Sequence, residues 1–216
     1  MSRPAPPAEP DGSPPRRERA DAARNRARVL AAAEDLFRER DPLSVTMEDL
    51  SRAAGVGRAT LYRRYPDVRS VAVALLDRHE YELQEQLLRG EPPLGPGAAP
   101  AERLAAFYRA MVDLLEHFGH LLRSAEGGSA RFATGAYGFW TAHVRALLTE
   151  AGTPHPDQLA DVVLAPLAPE LYHRQRQEQR LTPEAIGDRL AWLAARVASS
   201  PEIVEPIQPG RTSPLA

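Results

Sequence analysis

None of the 216 residues is cysteine, which removes disulfides, thiolate catalysis and cysteine metal sites together. Lysine is absent as well, so all 27 basic residues are arginine. Aromatic residues make up 6% of the chain, and no apolar run approaches the roughly 18 residues of a membrane span. The N-terminus is proline-rich and polar where a signal peptide would carry an apolar stretch, so the expectation is a cytoplasmic protein without membrane contact. Nothing reads as a strand. What is present is 43% apolar residues, enough to bury a core, spaced as on helices; the prediction is an all-α fold of about nine helices.

The net charge of -2 hides an asymmetry. Residues 1–70 hold 14 Arg against 11 acids, and residues 71–216 hold 13 against 18. The first third is therefore the part suited to a polyanion. Within it, Thr46 to Tyr65 (TMEDLSRAAGVGRATLYRRY) carries the strongest local signals. Thr46 followed three residues later by Asp49 is a capping-box start, and Met47, Leu50 and Ala54 share one face of the short helix that follows. Gly55 supplies the left-handed residue of a sharp turn, Val56 tucks under it, and Gly57 reads as the cap of a second helix from Arg58 to Tyr65. That helix stops because Tyr65 precedes Pro66. Helix, glycine turn and helix make the plan of a DNA-binding helix-turn-helix.

On the second helix Leu61 and Tyr65 share an inward face, while Arg58, Ala59, Tyr62 and Arg63 fall on another. Arg58 can fork onto a guanine, Ala59 lets the backbone approach base edges, and Thr60, Tyr62 and Arg64 are phosphate-contact types. The cluster Arg16, Arg17, Arg19, Arg24, Arg26 and Arg28 on the preceding segment can lie along phosphates, and Arg69 can meet one. The candidate DNA contacts are thus Arg24, Arg26, Thr46, Gly57, Arg58, Ala59, Thr60, Tyr62, Arg63, Arg64 and Arg69.

The run from Val29 to Ser70, with VLAAAEDLF and then TMEDLSRAAGVGRATLYRRYP, resembles the N-terminal domain of the TetR family of bacterial transcriptional regulators. The chain departs from the family's usual residues at Asp41 (commonly glycine), Gly57 (serine), Arg64 (histidine) and Val68 (often lysine). The resemblance implies an N-terminal three-helix DNA-binding domain and a C-terminal helical domain for ligand binding and dimerisation. It further implies a homodimeric, ligand-responsive repressor on a palindromic double-stranded DNA operator, with an unknown small-molecule effector.

The expected layout is an arm over 1–20, the helix-turn-helix domain over 21–70, a connecting helix over 71–90, a linker loop over 91–100, a regulatory and dimerisation domain over 101–200, and a tail over 201–216. The first helix is expected from Ala22 to Arg40, with Val29, Leu30, Ala33, Leu36 and Phe37 on its buried stripe. The run GEPPLGPGAAP is the clearest break in the chain. Beyond it, helices are expected from Ala101 to His117, with a short piece to Arg123, and from Arg131 to Ala151. Phe107, Tyr108, Met111, Phe118, Phe132, Tyr137, Trp140 and His143 on these segments form a candidate ligand-lining set, mostly apolar with a few polar groups; core packing is the competing use of the same residues. Two further helices carry the stripes Leu159, Val163, Leu167, Leu171 and Ile186, Leu190, Leu193, Val197, and in the family such a pair forms a four-helix dimer interface. Pro166 and Pro169 should kink or split the first of them.

Catalytic constellations are sparse. Glu170 and His173 have the spacing of one half of a di-iron site without the other half, and His117 with His120 lacks a third ligand. Gly127–Gly128 and the glycines at 135 and 138 have neither a preceding strand nor a phosphate-binding lysine. No catalytic residue, metal or cofactor is expected. Two other readings stay open: a DNA-binding activator or architectural protein without an effector, and an all-α enzyme or carrier.

Overall fold

The computed structural model describes residues 16–40, 42–124 and 135–199. Among the described residues every regular element is helical: nine α-helices, α1 (Arg16–Glu39), α2 (Met47–Ala54), α3 (Arg58–Arg64), α4 (Val68–Arg89), α5 (Pro100–Ser124), α6 (Gly135–Glu150), α7 (Pro156–Leu164), α8 (Pro169–Gln177) and α9 (Pro183–Val197). Short 3-10 turns at Pro42–Ser44 and Ala165–Leu167 complete the set. The chain divides into two compact units after Leu75, inside α4 and not at the glycine- and proline-rich turn that follows that helix. That turn folds back on itself: a Cβ on Gly95 would lie 1.8 Å from the Gly90 carbonyl oxygen, so only glycine fits.

In the first unit α1 packs on α2 and α2 on α3, and Val29, Leu30, Ala33, Leu50 and Leu61 are all buried there. Leu36 and Phe37 lie at its margin, half-buried. The first helix begins at Arg16, within the segment expected to be an arm, because the arginine- and alanine-rich run has no breaker after Pro15. At the start of α4 the Asp67 carboxylate accepts from the Ser70 N–H at 2.7 Å, a side-chain cap that fixes where the helix resumes after Pro66.

In the second unit α5 is the central element, touching α6, α8 and α9. Leu104, Phe107, Tyr108, Val112, Leu115 and Phe118 are buried along it. It runs unbroken through Gly119, where the sequence suggested a separate short piece: a single buried glycine weakens a helix without ending it. The prolines do split the next expected helix. Pro166 falls in the 3-10 turn, and Ala168, preceding Pro169, is forced to ψ 127 and out of helical geometry, so α7 and α8 are separate helices. Pro169 then opens α8 at a position where its missing N–H costs nothing. Thr182 caps α9 by accepting from the Ala185 N–H at 3.2 Å.

A clamp joins α5 to α8. Arg176 grips Glu116 with two parallel bonds, Nε to Oε2 at 2.8 Å and NH2 to Oε1 at 2.6 Å, and donates a third to the Leu181 carbonyl at 2.7 Å. The Tyr172 hydroxyl adds a fourth bond, to Glu116 Oε2 at 2.5 Å. Arg176 holds the Glu116 carboxyl below the usual carboxylate range, while burial pushes the Tyr172 hydroxyl upward.

Candidate nucleic-acid interface

Thr46 and Asp49 close a full capping box: the Asp49 N–H donates to Thr46 Oγ1 at 3.1 Å, and the Thr46 N–H donates to Asp49 Oδ2 at 3.1 Å. The hydrogen bonds from Thr46 lower the Asp49 pKa, so the box is intact wherever that carboxyl is ionised. Thr46 is thereby committed to its own helix end, and any DNA contact it makes must share that role. Gly55 ends α2 at φ 58, ψ 36, the left-handed geometry the turn requires. Two side chains fasten this turn. Ser51 donates to the Val56 carbonyl at 2.7 Å, and Arg28 reaches from α1 to the Gly55 carbonyl at 2.9 Å. Arg28 therefore holds the helix-turn-helix to α1, in place of the phosphate role open to it in the sequence.

The second helix presents the face the sequence anticipated. Leu61 and Tyr65 are buried, and Arg58, Ala59, Tyr62, Arg63 and Arg64 are exposed, with Tyr62 at 47%. The helix ends one residue early, at Arg64, because Tyr65 before Pro66 takes extended geometry at φ -129, ψ 109. Gly57 is its N-cap and offers no side-chain bond. Thr60 is half-buried, turned partly toward α1. Arg58 lies 3.6 Å from Glu48 with both side chains more than half exposed; such a pair is worth under about 1 kcal/mol, less than the roughly 1 to 3 kcal/mol a forked guanine contact discriminates. Arg58 is thus free to exchange Glu48 for a base edge. Arg24 pairs with Asp21 and must exchange it to meet a phosphate; Arg26 is exposed, and so is Arg69 in the first turn of α4.

The expected ligand-lining residues lie mostly in the interior of the second unit. Phe107, Tyr108, Met111, Phe118 and Trp140 are buried, and Phe107 sits 5.8 Å from Trp140, 5.4 Å from His143 and 6.3 Å from Tyr108, ring centre to ring centre. Tyr108 donates to the Val163 carbonyl at 2.7 Å, which ties α5 to α7. These are core contacts. Tyr137 differs: it donates to Asp161 at 2.9 Å and borders an open groove of about 420 Å³ with Thr141 and Arg145. Phe132 lies outside the described residues. His143 is half-buried with Nε2 lacking a partner among the described residues, and burial, aided by Arg103, pushes its pKa down to about 4.

The expected interface stripe is also used within the protomer. Val163, Leu167, Ile186 and Leu190 are 7% exposed or less, packed in their own unit's core, with Leu159, Leu193 and Val197 half-buried; none of the four buried ones is available to a second chain. The outward face of α9 carries instead Asp188, Arg189, Trp192 and Arg196, and Trp192 is 64% exposed under the Arg196 guanidinium. Leu171, 36% exposed, is the one stripe member that faces out. Among the described residues no three His, Asp or Glu groups converge on a metal position, and no helix is long and apolar enough to cross a membrane.

A capped first helix, a left-handed glycine turn and a basic exposed second helix on an α1 support define a helix-turn-helix domain, here joined to a larger helical unit. Residues 29–75 match the family model described as bacterial regulatory proteins, tetR family. The chain is 38% identical over 77 residues to the uncharacterized HTH-type transcriptional regulator Rv1255c of Mycobacterium tuberculosis, covering 36% of this chain and 37% of that one. It is 29% identical over 108 residues to the HTH-type transcriptional regulator EthR of the same species, covering 49% and 47%. The chain thus matches the curated relatives over about a third to a half of their length. In fold it is similar to reduced Escherichia coli NemR, with a TM-score of 0.57 at 18% identity over 83% of this chain and 100% of that one. The SmeT–triclosan complex gives 0.56 at 15% over 86% and 99%. The match to the tetR family of bacterial regulatory proteins thus covers the helix-turn-helix unit, and the fold of the solved structures is shared over most of the chain.

Proposed function

We propose that the protein is a sequence-specific transcriptional regulator, a homodimeric repressor that binds a palindromic operator through α3 and releases it when a small molecule binds the second unit. The observation that carries this reading is the exposed face of Arg58, Ala59, Tyr62 and Arg63 on a helix whose entry is fixed from three sides, by the capping box, by Ser51 and by Arg28. A reading helix must be rigid to discriminate bases, and these bonds supply that rigidity. The assignment of Arg26, Arg63, Arg64 and Arg69 to phosphates is supported by their exposure and by the excess of arginine over acids in residues 1–70.

Dimerisation is assigned to the outward faces of α8 and α9, around Trp192 and Leu171, since an exposed tryptophan is the residue type enriched at the centre of protein interfaces. Effector response is supported by the fold, shared with a protein whose structure is described as a triclosan complex. A ligand releases DNA only by favouring a geometry of the dimer that fits the operator less well. The test is a footprint of the full chain on DNA flanking its own gene, followed by titration at several salt concentrations. Protection of two half-sites about 10 base pairs apart or a multiple of that, with a log-log salt slope on the order of -7, is the expected result; a slope near zero removes the reading.

A further inference from the structure

Two carboxylates stand in the first turn of α2, and they are used differently. Asp49 is turned back into the cap, its side chain 18% exposed and placed 3.9 Å from Arg40 and 3.7 Å from Arg52. Glu48 points outward. It follows the buried Met47 by about 100° of helix rotation, on the side away from the buried Leu50 and Ala54. Its side chain is 59% exposed, and among the described residues its polar contact is with Arg58, across the turn, at 3.6 Å. A recognition helix meets base edges with its N-terminal residues, and Arg58 is in the first turn of α3. The pair therefore sets one anion at the groove-entering end of a helix whose own charges are Arg58, Arg63 and Arg64. The capping box and the bonds of Ser51 and Arg28 to the turn fix the two helix ends that carry the pair.

We propose that Glu48 is a specificity residue: when Arg58 leaves it to fork onto a guanine, Glu48 accepts from the N4 amino group of a cytosine in the neighbouring base pair. The inference rests on the proposed reading of α3 as a DNA-recognition helix. A carboxylate only accepts hydrogen bonds. In the major groove guanine N7 and O6 and thymine O4 are acceptors as well, so they repel it, and the donors are the amino groups of cytosine and adenine. Adenine sets its N6 amino group beside the N7 acceptor, whereas cytosine shows N4 alone, which makes cytosine the better partner. The 3.6 Å between the two side chains is close to the rise of roughly 3.4 Å between stacked bases, so contacts from both reach successive pairs. Phosphates offer a carboxylate only repulsion. Glu48 thus lowers affinity for DNA in general, and its favourable contact depends on the sequence.

The test is selection of bound sites by the full chain from a pool of random duplex DNA, read by sequencing, for wild type, Glu48→Ala, Glu48→Gln and Arg58→Ala. Wild type should select a guanine that Arg58→Ala no longer selects, and beside it a cytosine favoured over thymine by about tenfold. Glu48→Ala should lose the cytosine preference, keep the guanine and hold random DNA more tightly than wild type. Glu48→Gln should turn the cytosine into adenine, whose N6 and N7 a glutamine amide bonds together. Glu48 is exposed, so both variants are expected to fold, which far-UV circular dichroism checks. Base preferences unchanged in both Glu48 variants overturn the proposal. So does a loss confined to the guanine of Arg58, which would make Glu48 only the group that orients the arginine. A wild-type chain that selects no sequence at all sinks the DNA reading itself, and that result is distinct from either of the other two.

Discussion

Gly55 and Arg28 make one joint, and a double-mutant cycle on them measures it. Gly55 sits at φ 58, where an alanine costs about 1 to 2 kcal/mol in left-handed strain. A Cβ added there would also come 2.4 Å from the Arg28 guanidinium, so Gly55→Ala must displace Arg28 and break its bond to the Gly55 carbonyl. A hydrogen bond from a charged donor is worth about 1.5 to 3 kcal/mol, and discounting for the exposure of Arg28 leaves about 1. Arg28→Ala alone should therefore cost about 1 kcal/mol and Gly55→Ala about 2 to 3. The double variant should cost no more than Gly55→Ala alone, because the bond is already gone, so the sum of the singles overshoots by about 1 kcal/mol. Two units make a single global unfolding curve hard to assign, and both tryptophans lie in the second. Amide hydrogen exchange of residues 47–64, read by mass spectrometry, reports the local opening energy directly. Strict additivity of the two substitutions would show that Arg28 does not hold the turn.

Breaking the clamp with Arg176→Met should cost the second unit about 1 to 2 kcal/mol, the value of a bidentate pair reduced for its partial exposure, measured by thermal unfolding. Because Arg176 holds the Glu116 carboxyl below its unfolded value, the clamp's contribution is full above the ordinary carboxylate pKa and fades as pH falls through the native one; the variant should lose that part of the acid dependence. His143 has a folded pKa of about 4 against 6.5 for the free side chain, so the unfolded state binds the extra proton first. Stability of the second unit should decline as pH drops from about 6.5 to 4 and level off below, and His143→Leu should flatten that window in denaturant titrations. Trp192→Glu should convert dimer to monomer in sedimentation at unchanged Tm of the monomer, whereas Leu190→Arg, at 7% exposure, should unfold the second unit.

The helix-turn-helix was legible because its signals are local. Thr46 and Asp49 are three residues apart, Gly55 has few conformational rivals, and Pro66 dictates the end of α3 whatever surrounds it. The proline break between α7 and α8 was readable for the same reason. What the sequence withheld is partnership across distance. Arg28 and Gly55 are 27 residues apart, and Glu116 and Arg176 are 60 apart; nothing in spacing marks either pair. The stripe of Ile186 and Leu190 shows the same limit from the other side: helical periodicity says that a face is buried, and not whether α5 of the same chain or a second chain buries it. The aromatic set of α5 and α6 was likewise visible as a cluster, but only coordinates show Trp140 and His143 packed at a tilt against Phe107.

If α3 reads base sequence, Arg58 is the side chain whose loss should reveal it. It lies in the first turn, exposed, held only by an exposed pair with Glu48. The measurement is a fluorescence-anisotropy titration of wild type and Arg58→Ala against the footprinted site, its single-base variants and random DNA. The variant should lose about 1 to 3 kcal/mol of discrimination at one base pair in each half-site while its affinity for random DNA changes little. If Arg58→Ala weakens every sequence by the same factor and leaves the base preference intact, Arg58 contacts only the backbone and the reading face of α3 has been wrongly assigned.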